Sequence, residues 1–323
     1  MKLSDASALV EVALREIELP GGALAGLYEP ISYGLSAGGK RLRPALVLMA
    51  AEAFGGEEAV AKAMPAAIGM EIFHNFTLLH DDVMDNSDMR RNRPSVKAKW
   101  NVNTAILSGD TMLTLAVKQM MHVDDDKLRR VLDIFNDMAM KVYEGQYLDM
   151  DFESRETVTR DEYLEMISLK TGALLGASAQ IGALIGGASD KDAELCARFG
   201  TLLGLAFQIQ DDWLDVYGDS TTFGKPIGGD INNNKMSYLL LTALESGTPE
   251  AEALKSAMQM APGDTKVRVV TNIYDKLDMS AKVRKEVGHY SSEALTALRK
   301  SELSETAREP FRLMIDKLTG RKK

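Results

Sequence analysis

Ile68-Gly69-Met70-Glu71-Ile72-Phe73-His74-Asn75-Phe76-Thr77-Leu78-Leu79-His80-Asp81-Asp82-Val83-Met84-Asp85 closes an apolar stretch that begins near Ala59 and carries helical rather than alternating periodicity. It ends on Asp-Asp-x-x-Asp. The same pattern returns at Asp211-Asp212-Trp213-Leu214-Asp215, again at the end of an apolar helical stretch. On an α-helix the first and last aspartates of each cluster lie one turn apart on one face. Two carboxylates so placed make a claw for a divalent cation. A solvated acidic helix end is the plainer explanation, but acidic side chains at a helix C-terminus oppose the macrodipole. Two such unfavourable ends in one chain favour the claw.

The rest of the chain is helical as well. Periodicity predicts helices over Ala6 to Ile17, Leu24 to Ser36, Pro44 to Phe54, Ala59 to Asp85, Ser95 to Met121, Asp126 to Met150, Arg160 to Ile185, Asp190 to Val216 and Lys235 to Ser246, with more before Leu318. Pro44 and Pro94 sit where helices would begin, while Gly55-Gly56 and Gly186-Gly187 sit where they would stop. No run alternates as a strand would. Hydrophobic residues make up 45% of the 323 positions and aromatic residues only 6%, so small and aliphatic side chains with 18 Met must fill the core. That composition suits close-packed helices. No linker divides the chain, and one domain over residues 1–323 is expected.

Composition also excludes functions. A net charge of -9 argues against nonspecific nucleic-acid binding, which needs a basic stripe. An anionic substrate would need a local basic pocket instead. The single Cys196 excludes an intrachain disulfide and a cysteine-rich zinc site, and its apolar neighbours suggest a buried thiol. The first residues show no signal peptide, so a cytoplasmic location is expected. The uncharged run from Thr171 to Ser189 barely reaches the length of a membrane span. It is broken by Gly172, Gly176, Gly182, Gly186 and Gly187, which more simply let buried helices approach closely.

After the first cluster come Arg90, Arg91 and Arg93. Mg2+ takes oxygen ligands and retains waters or phosphate oxygens, so a diphosphate could bridge metal and arginines. Earlier stands Gly38-Gly39-Lys40-Arg41-Leu42-Arg43-Pro44, where glycines let backbone approach an anion and Arg43 offers a planar fork. It lacks the spacing of a nucleoside-triphosphate loop, and alone it could be a plain helix start. The glycine-rich stretch from Tyr217 to Asn234 follows the second cluster and is a candidate lid.

Taken in order, Gly38 to Pro44, His74, Leu78-Leu79-His80 with the first cluster, Lys170-Thr171-Gly172, Phe207-Gln208-Ile209-Gln210 with the second cluster, and Gly224-Lys225-Pro226 with Asp230 resemble the trans-isoprenyl diphosphate synthases of the polyprenyl synthetase family. The resemblance runs from about Leu24 to the last helices. It implies an all-α single-domain helical bundle around a deep central cavity, usually a homodimer, with the two aspartate helices facing each other at the mouth. It implies a prenyltransferase that joins isopentenyl diphosphate to allylic prenyl diphosphates, with Mg2+ as cofactor, giving geranylgeranyl or farnesyl diphosphate. Asp81, Asp85 and Asp211 match the metal ligands, and Asp82, Asp212 and Asp215 the residues that order those ligands and their water. Arg90, Lys170, Lys225 and Lys235 match groups that hold diphosphate, while Lys40, Arg43, His74 and Arg91 match those that hold isopentenyl diphosphate without metal. Thr171 and Gln208 match residues facing the allylic cation.

Thr77 and Phe73 lie one and two turns before Asp81 on its face, with Thr77 about 6 Å deeper. Phe76 sits beside them and could floor a growing tail, with ordinary aromatic core packing the lesser alternative. An aromatic at Phe76 with a small residue next to it and no insertion between the aspartates most resembles synthases of the twenty-carbon product, with farnesyl diphosphate a near alternative because residues on neighbouring helices also set the depth. A terpene cyclase shares the ionisation chemistry, but Lys40 and Arg43 argue against it. A noncatalytic partner subunit is the other alternative, and this chain keeps every aspartate such subunits lose. Tyr143, Glu144, Gln146, Asp149 and Asp151 recur near helical spacing with no assigned role.

Overall fold

The computed structural model describes residues 1–219 and 227–320. It is all-α, as the periodicity predicts, with one short hairpin among the described residues. The chain divides into two compact units. Met1–Asp137, Ala177–Ala197 and Arg299–Phe311 form the first; Met138–Gly176, Arg198–Leu298 and the residues from Arg312 onward form the second.

The first unit is built on α1 (Leu3–Arg15), α2 (Ala25–Leu35) and α3 (Leu42–Met84). The expected break at Gly55-Gly56 is a kink rather than an end. Gly56 takes φ 69 and ψ -164, a conformation that favours glycine, and α3 resumes beyond it. Buried Ala45 to Ala51 before the kink, and Ala66 to Phe73 after it, give α3 an apolar core surface. Gly182 and Gly186 lie against α3 so closely that an added Cβ would strike the carbonyl oxygens of Val47 and Ala51. The glycines of the uncharged run therefore serve helix contact. No helix among the described residues is long and apolar enough to cross a membrane.

The predicted helix from Ser95 to Met121 is two helices, α4 (Val96–Lys99) and α5 (Val102–Met120). Ser95 and Asn101 each accept a backbone N–H, from Ala98 and Thr104, and so cap two starts in quick succession. The arginine stretch also contains strands, pairing Met89 with Pro94 and Arg90 with Arg93. Arg91 (φ 52) and Asn92 (φ 59) form the two-residue turn, both left-handed as a primed hairpin turn requires. Two residues per strand leave no alternation to read in the sequence.

The second unit takes α6 (Asp125–Phe152) from Met138, α7 (Arg160–Ile167), the start of α8 (Ala173–Ile185) and α9 (Asp190–Tyr217) from Arg198. Helices Gly229–Asn232, Tyr238–Leu244, Pro249–Met258, Asp264–Lys276, Met279–Arg299 as far as Leu298, and Glu305–Thr319 from Arg312 also belong to it. Phe152, Tyr163, Trp213, Tyr238 and Tyr274 anchor its core. The predicted helix from Arg160 to Ile185 is interrupted by a π turn over Ser168–Gly172. Gly145 of α6 lies against the Lys170 backbone there, with no room for a side chain. In the first unit, burial pushes the Cys196 thiol up to about 12, so it stays protonated.

Gly182→Val should lower stability by about 1–3 kcal/mol or more through overpacking against the Val47 backbone. Gly288→Ala, where an added Cβ meets nothing within 4 Å, should raise it by about 0.4–1 kcal/mol. Urea unfolding of both variants checks this, and a Gly182→Val midpoint equal to the parent would contradict the close contact.

Candidate active site

In the first unit α3 delivers the first aspartate cluster at its C-terminal end. Asp81 is half-buried, Asp85 exposed and Asp82 buried. The helical turn explains the split, because position i+1 points about 100° away from i. Asp82 Oδ1 accepts from both Nε and Nη2 of Arg90, at 2.9 and 2.6 Å. Burial pushes the Asp82 carboxyl up, and Arg90 opposes it.

The hairpin carrying Arg90 and Arg91 is fastened by residues that sequence reading missed. Lys97, buried, donates to Asn86 Oδ1 at 2.6 Å and pairs with Asp88 at 3.1 Å. Tyr33 donates to the Pro94 carbonyl, and its ring lies between Arg93 and Lys99, at 4.1 and 3.9 Å from its centroid. Such cation–π contacts depend on tertiary placement and leave no sequence signal.

Arg91 Nη1 donates to the Gly38 carbonyl, which brings the hairpin onto the Gly38–Pro44 loop. Its guanidinium lies against Gly39, where a Cβ would collide. Lys40 of this loop is exposed. Arg43 Nη1 donates to His74 Nε2 at 3.1 Å, so Nε2 is the acceptor and the neutral imidazole carries its proton on Nδ1. Burial, reinforced by Arg43, Arg91, Arg90 and Arg41, holds His74 well below its ordinary value. Burial pushes the Arg43 guanidinium down to about 10, with Glu71 opposing and Arg91 adding to the fall. Arg43 therefore remains charged at neutral pH. Its buried Nε has no hydrogen-bond partner. A charged, partly satisfied donor among other arginines has the chemistry to take an anion.

Along α3, Phe76 is buried and tilts against Phe73 at 5.5 Å and the His80 ring at 4.8 Å. Phe73 in turn meets Phe135 edge-on at 5.3 Å. Thr77 donates to the His74 carbonyl at 2.8 Å. The three expected chain-length residues thus share one stretch of α3, with Phe76 inside an aromatic ladder.

In the second unit α9 carries the second cluster. Asp211 is half-buried, while Asp212 and Asp215 are buried. Asp212 Oδ2 accepts from the Tyr163 hydroxyl at 2.6 Å and the Tyr238 N–H at 2.8 Å. Burial and the nearby Asp230 push its carboxyl up. Asp215 accepts from the Asp230 N–H at 3.0 Å and its backbone carbonyl from Gly228 N–H at 2.7 Å. The inward aspartates thus tie Gly228 to Tyr238 onto α9.

The π turn places Lys170 and Thr171 beside this ground. Lys170 donates to Asp149 at 2.6 Å, and Thr171 to Gln208 Oε1 at 3.3 Å. Burial alone would raise the Asp149 carboxyl, but Lys235 and Lys170 bring it below its ordinary value. Asp149 and Tyr163 are the partners of these residues that the sequence left unassigned or unnoticed. A π turn in an otherwise α-helical run is itself a frequent mark of function. Lys225, with Gly224 and Pro226, lies outside the described residues, as does the tail Arg321-Lys322-Lys323.

In each unit taken by itself the aspartates are hard oxygen donors of the kind Mg2+ takes, Asp81 and Asp85 in the first and Asp211 in the second, while Asp82 accepts from Arg90 and Asp212 from Tyr163 and the Tyr238 N–H. Among the described residues no three acidic, histidine or cysteine side chains gather as a ready-made cage. Mg2+ needs none, since it binds through one or two carboxylates together with waters and substrate phosphates.

Residues 25–277 match the model of a family described as polyprenyl synthetase. The chain is 42% identical over 248 residues to the geranylgeranyl diphosphate synthase of Methanosarcina mazei, covering 76% of each protein. It is similar to the crystal structure of a geranylgeranyl pyrophosphate synthase at TM-score 0.94 and 39% identity, covering 100% of both chains. A polyprenyl synthase from Caulobacter crescentus CB15, crystallised with calcium and isoprenyl diphosphate, is similar at TM-score 0.86 and 26% identity, over 99% of this chain and 96% of that one.

The depressed His74 value has a stability consequence. A neutral buried His74 stabilises the fold above its unfolded value of 6.5 and loses that contribution as pH falls below it, by at most about 1.4 kcal/mol per pH unit. His74→Gln should therefore flatten the loss of urea stability between pH 7 and 5.5. Equal losses in parent and variant would contradict a neutral His74.

Proposed function

The chain belongs to the polyprenyl synthetase family and is a prenyltransferase, a short-chain prenyl diphosphate synthase. From that premise we propose that it condenses isopentenyl diphosphate with allylic diphosphates in a Mg2+-dependent reaction whose main product is geranylgeranyl diphosphate. The observation that carries this reading is the Arg43 centre. A buried charged guanidinium with an unpartnered Nε, beside a neutral histidine and Arg91, favours a diphosphate held without metal.

Lys40, Arg43, His74 and Arg91 hold isopentenyl diphosphate in this reading. Asp81, Asp85 and Asp211 ligate Mg2+, with Asp82, Asp212 and Asp215 fixing the backbone and side chains around them. Bound there, Mg2+ supplies positive charge to the diphosphate that leaves the allylic substrate. Arg90, Lys170, Lys225 and Lys235 add to that charge, which is worth most where water is excluded. The allylic C–O bond breaks with its electron pair going to diphosphate, and the double bond of isopentenyl diphosphate attacks the cationic carbon. A proton then leaves the new chain for the released diphosphate. Thr171 and Gln208, bonded to each other, present fixed dipoles toward the cation, and Gln208 is also held by Asp212 at 3.4 Å.

The relatives described above support a twenty-carbon product, and the aromatic ladder at Phe76 supports a floor under a growing tail. The family match runs unbroken through residues of both units, which favours one functional domain. Exposed Val102, Ile106 and Leu107 on α5 favour a homodimer, the assembly that the family resemblance implies.

Asp81→Ala and Asp211→Ala should each lower Mg2+-dependent condensation by at least a hundredfold, measured as labelled isopentenyl diphosphate entering prenyl product. Near-normal turnover in either variant would refute the ligand assignment. Phe76→Ala should shift the product mass upward by one or more five-carbon units; an unchanged product would place the floor elsewhere.

A further inference from the structure

The N-terminal helix lies ahead of the residues that match the family, which begin at 25. Yet α1 grips the Gly38–Pro44 loop. Glu11 accepts from Arg41 Nε at 2.7 Å, and the Ser7 hydroxyl donates to the Lys40 carbonyl at 3.2 Å. Arg41 itself is unusual. It sits between Lys40 and Arg43 at φ 48 and ψ 38, a left-handed conformation unfavourable for arginine. Such backbone persists only where surrounding contacts over-determine it. Here one buried guanidinium uses three edges. Nε meets Glu11 on α1, Nη1 meets buried Glu71 on α3, and Nη2 donates at 2.6 Å to the carbonyl of Leu35, the last residue of α2.

We propose that Glu11 is a positioning residue for isopentenyl diphosphate binding, acting through Arg41 to hold the loop that presents Lys40 and Arg43. This rests on the assignment of that loop above. Arg41 is already satisfied by carboxylates and a carbonyl, so it does not itself take the substrate. Without Glu11 a buried guanidinium edge would lose its charged partner, and the left-handed turn would lose one of the contacts that enforce it. The loop would then sample other conformations, and a substrate binding only the native one would bind in proportion to its population. Lys170 and Lys235, assigned above to the allylic diphosphate, lie elsewhere in the chain, and Arg90 is held by Asp82, so allylic binding should not feel the change.

The test uses the full chain, with Glu11→Gln and Glu11→Asp. Glu11→Gln should raise KM for isopentenyl diphosphate at least fivefold, with KM for the allylic substrate and kcat within twofold of the parent. Glu11→Asp should restore most of the lost affinity. Ser7→Ala, which removes only the hydroxyl bond to the Lys40 carbonyl, serves if Glu11→Gln does not fold and should shift the same KM in the same direction. Metal-free calorimetric titration with isopentenyl diphosphate reads the loop without the reaction. There Glu11→Gln should also bind at least fivefold more weakly. Lower thermal stability with unchanged affinity, or equal weakening of both substrates, would overturn the proposal. A parent that binds isopentenyl diphosphate yet forms no product would defeat the synthase reading while leaving the positioning role supported by the titration.

Discussion

Glu71 offsets the burial of three arginines. It is nearly inaccessible on α3, bonds Arg41 directly, and opposes the burial that would lower Arg43 and Arg91. Removing one partner of such a buried pair typically destabilises by about 3–5 kcal/mol. Yet Glu71 and Glu11 together carry less negative charge than Arg41, Arg43, Arg90 and Arg91 carry positive, and Asp82 absorbs only Arg90. The surplus sits at Arg43 and Arg91. Surplus positive charge, fixed donors and a neutral histidine suit an anion without help from a metal, which is what the proposed role of this loop requires.

The same logic of uneven satisfaction runs through the aspartate clusters. Each cluster spends its second aspartate inward, Asp82 on Arg90 and Asp212 on Tyr163 and the Tyr238 N–H. Helical geometry imposes this, since the second position faces the protein when the first faces outward. The clusters differ at their last position. Asp85 is exposed, while Asp215 is buried and holds Asp230. The first residue of each cluster, Asp81 or Asp211, is half-buried, so the clusters differ only in how they end.

Much of this was legible in the chain because helical periodicity and acid spacing are local signals. The all-α class and the inward-packed glycines of the uncharged run follow from such signals, whereas at Gly55-Gly56 they predict a helix end and α3 instead kinks and continues. The hairpin at Arg90 to Arg93 did not show, because its strands are too short to alternate. The π turn at Lys170 was hidden inside a continuous helical pattern, and its position reflects contact with Gly145. The grip of Tyr33 and Glu11 on the arginine turn and the basic loop joins residues 61 and 30 positions apart, where one chain carries no record of contact. Asp149 was visible but without a partner until Lys170 was placed beside it.

Incubation of the protein with labelled isopentenyl diphosphate and farnesyl diphosphate, with and without Mg2+, followed by mass analysis of the products, tests the central claim most directly. A twenty-carbon diphosphate formed only with Mg2+ is the expected result. No condensation with Mg2+ present, or equal condensation after its removal by chelation, would contradict it.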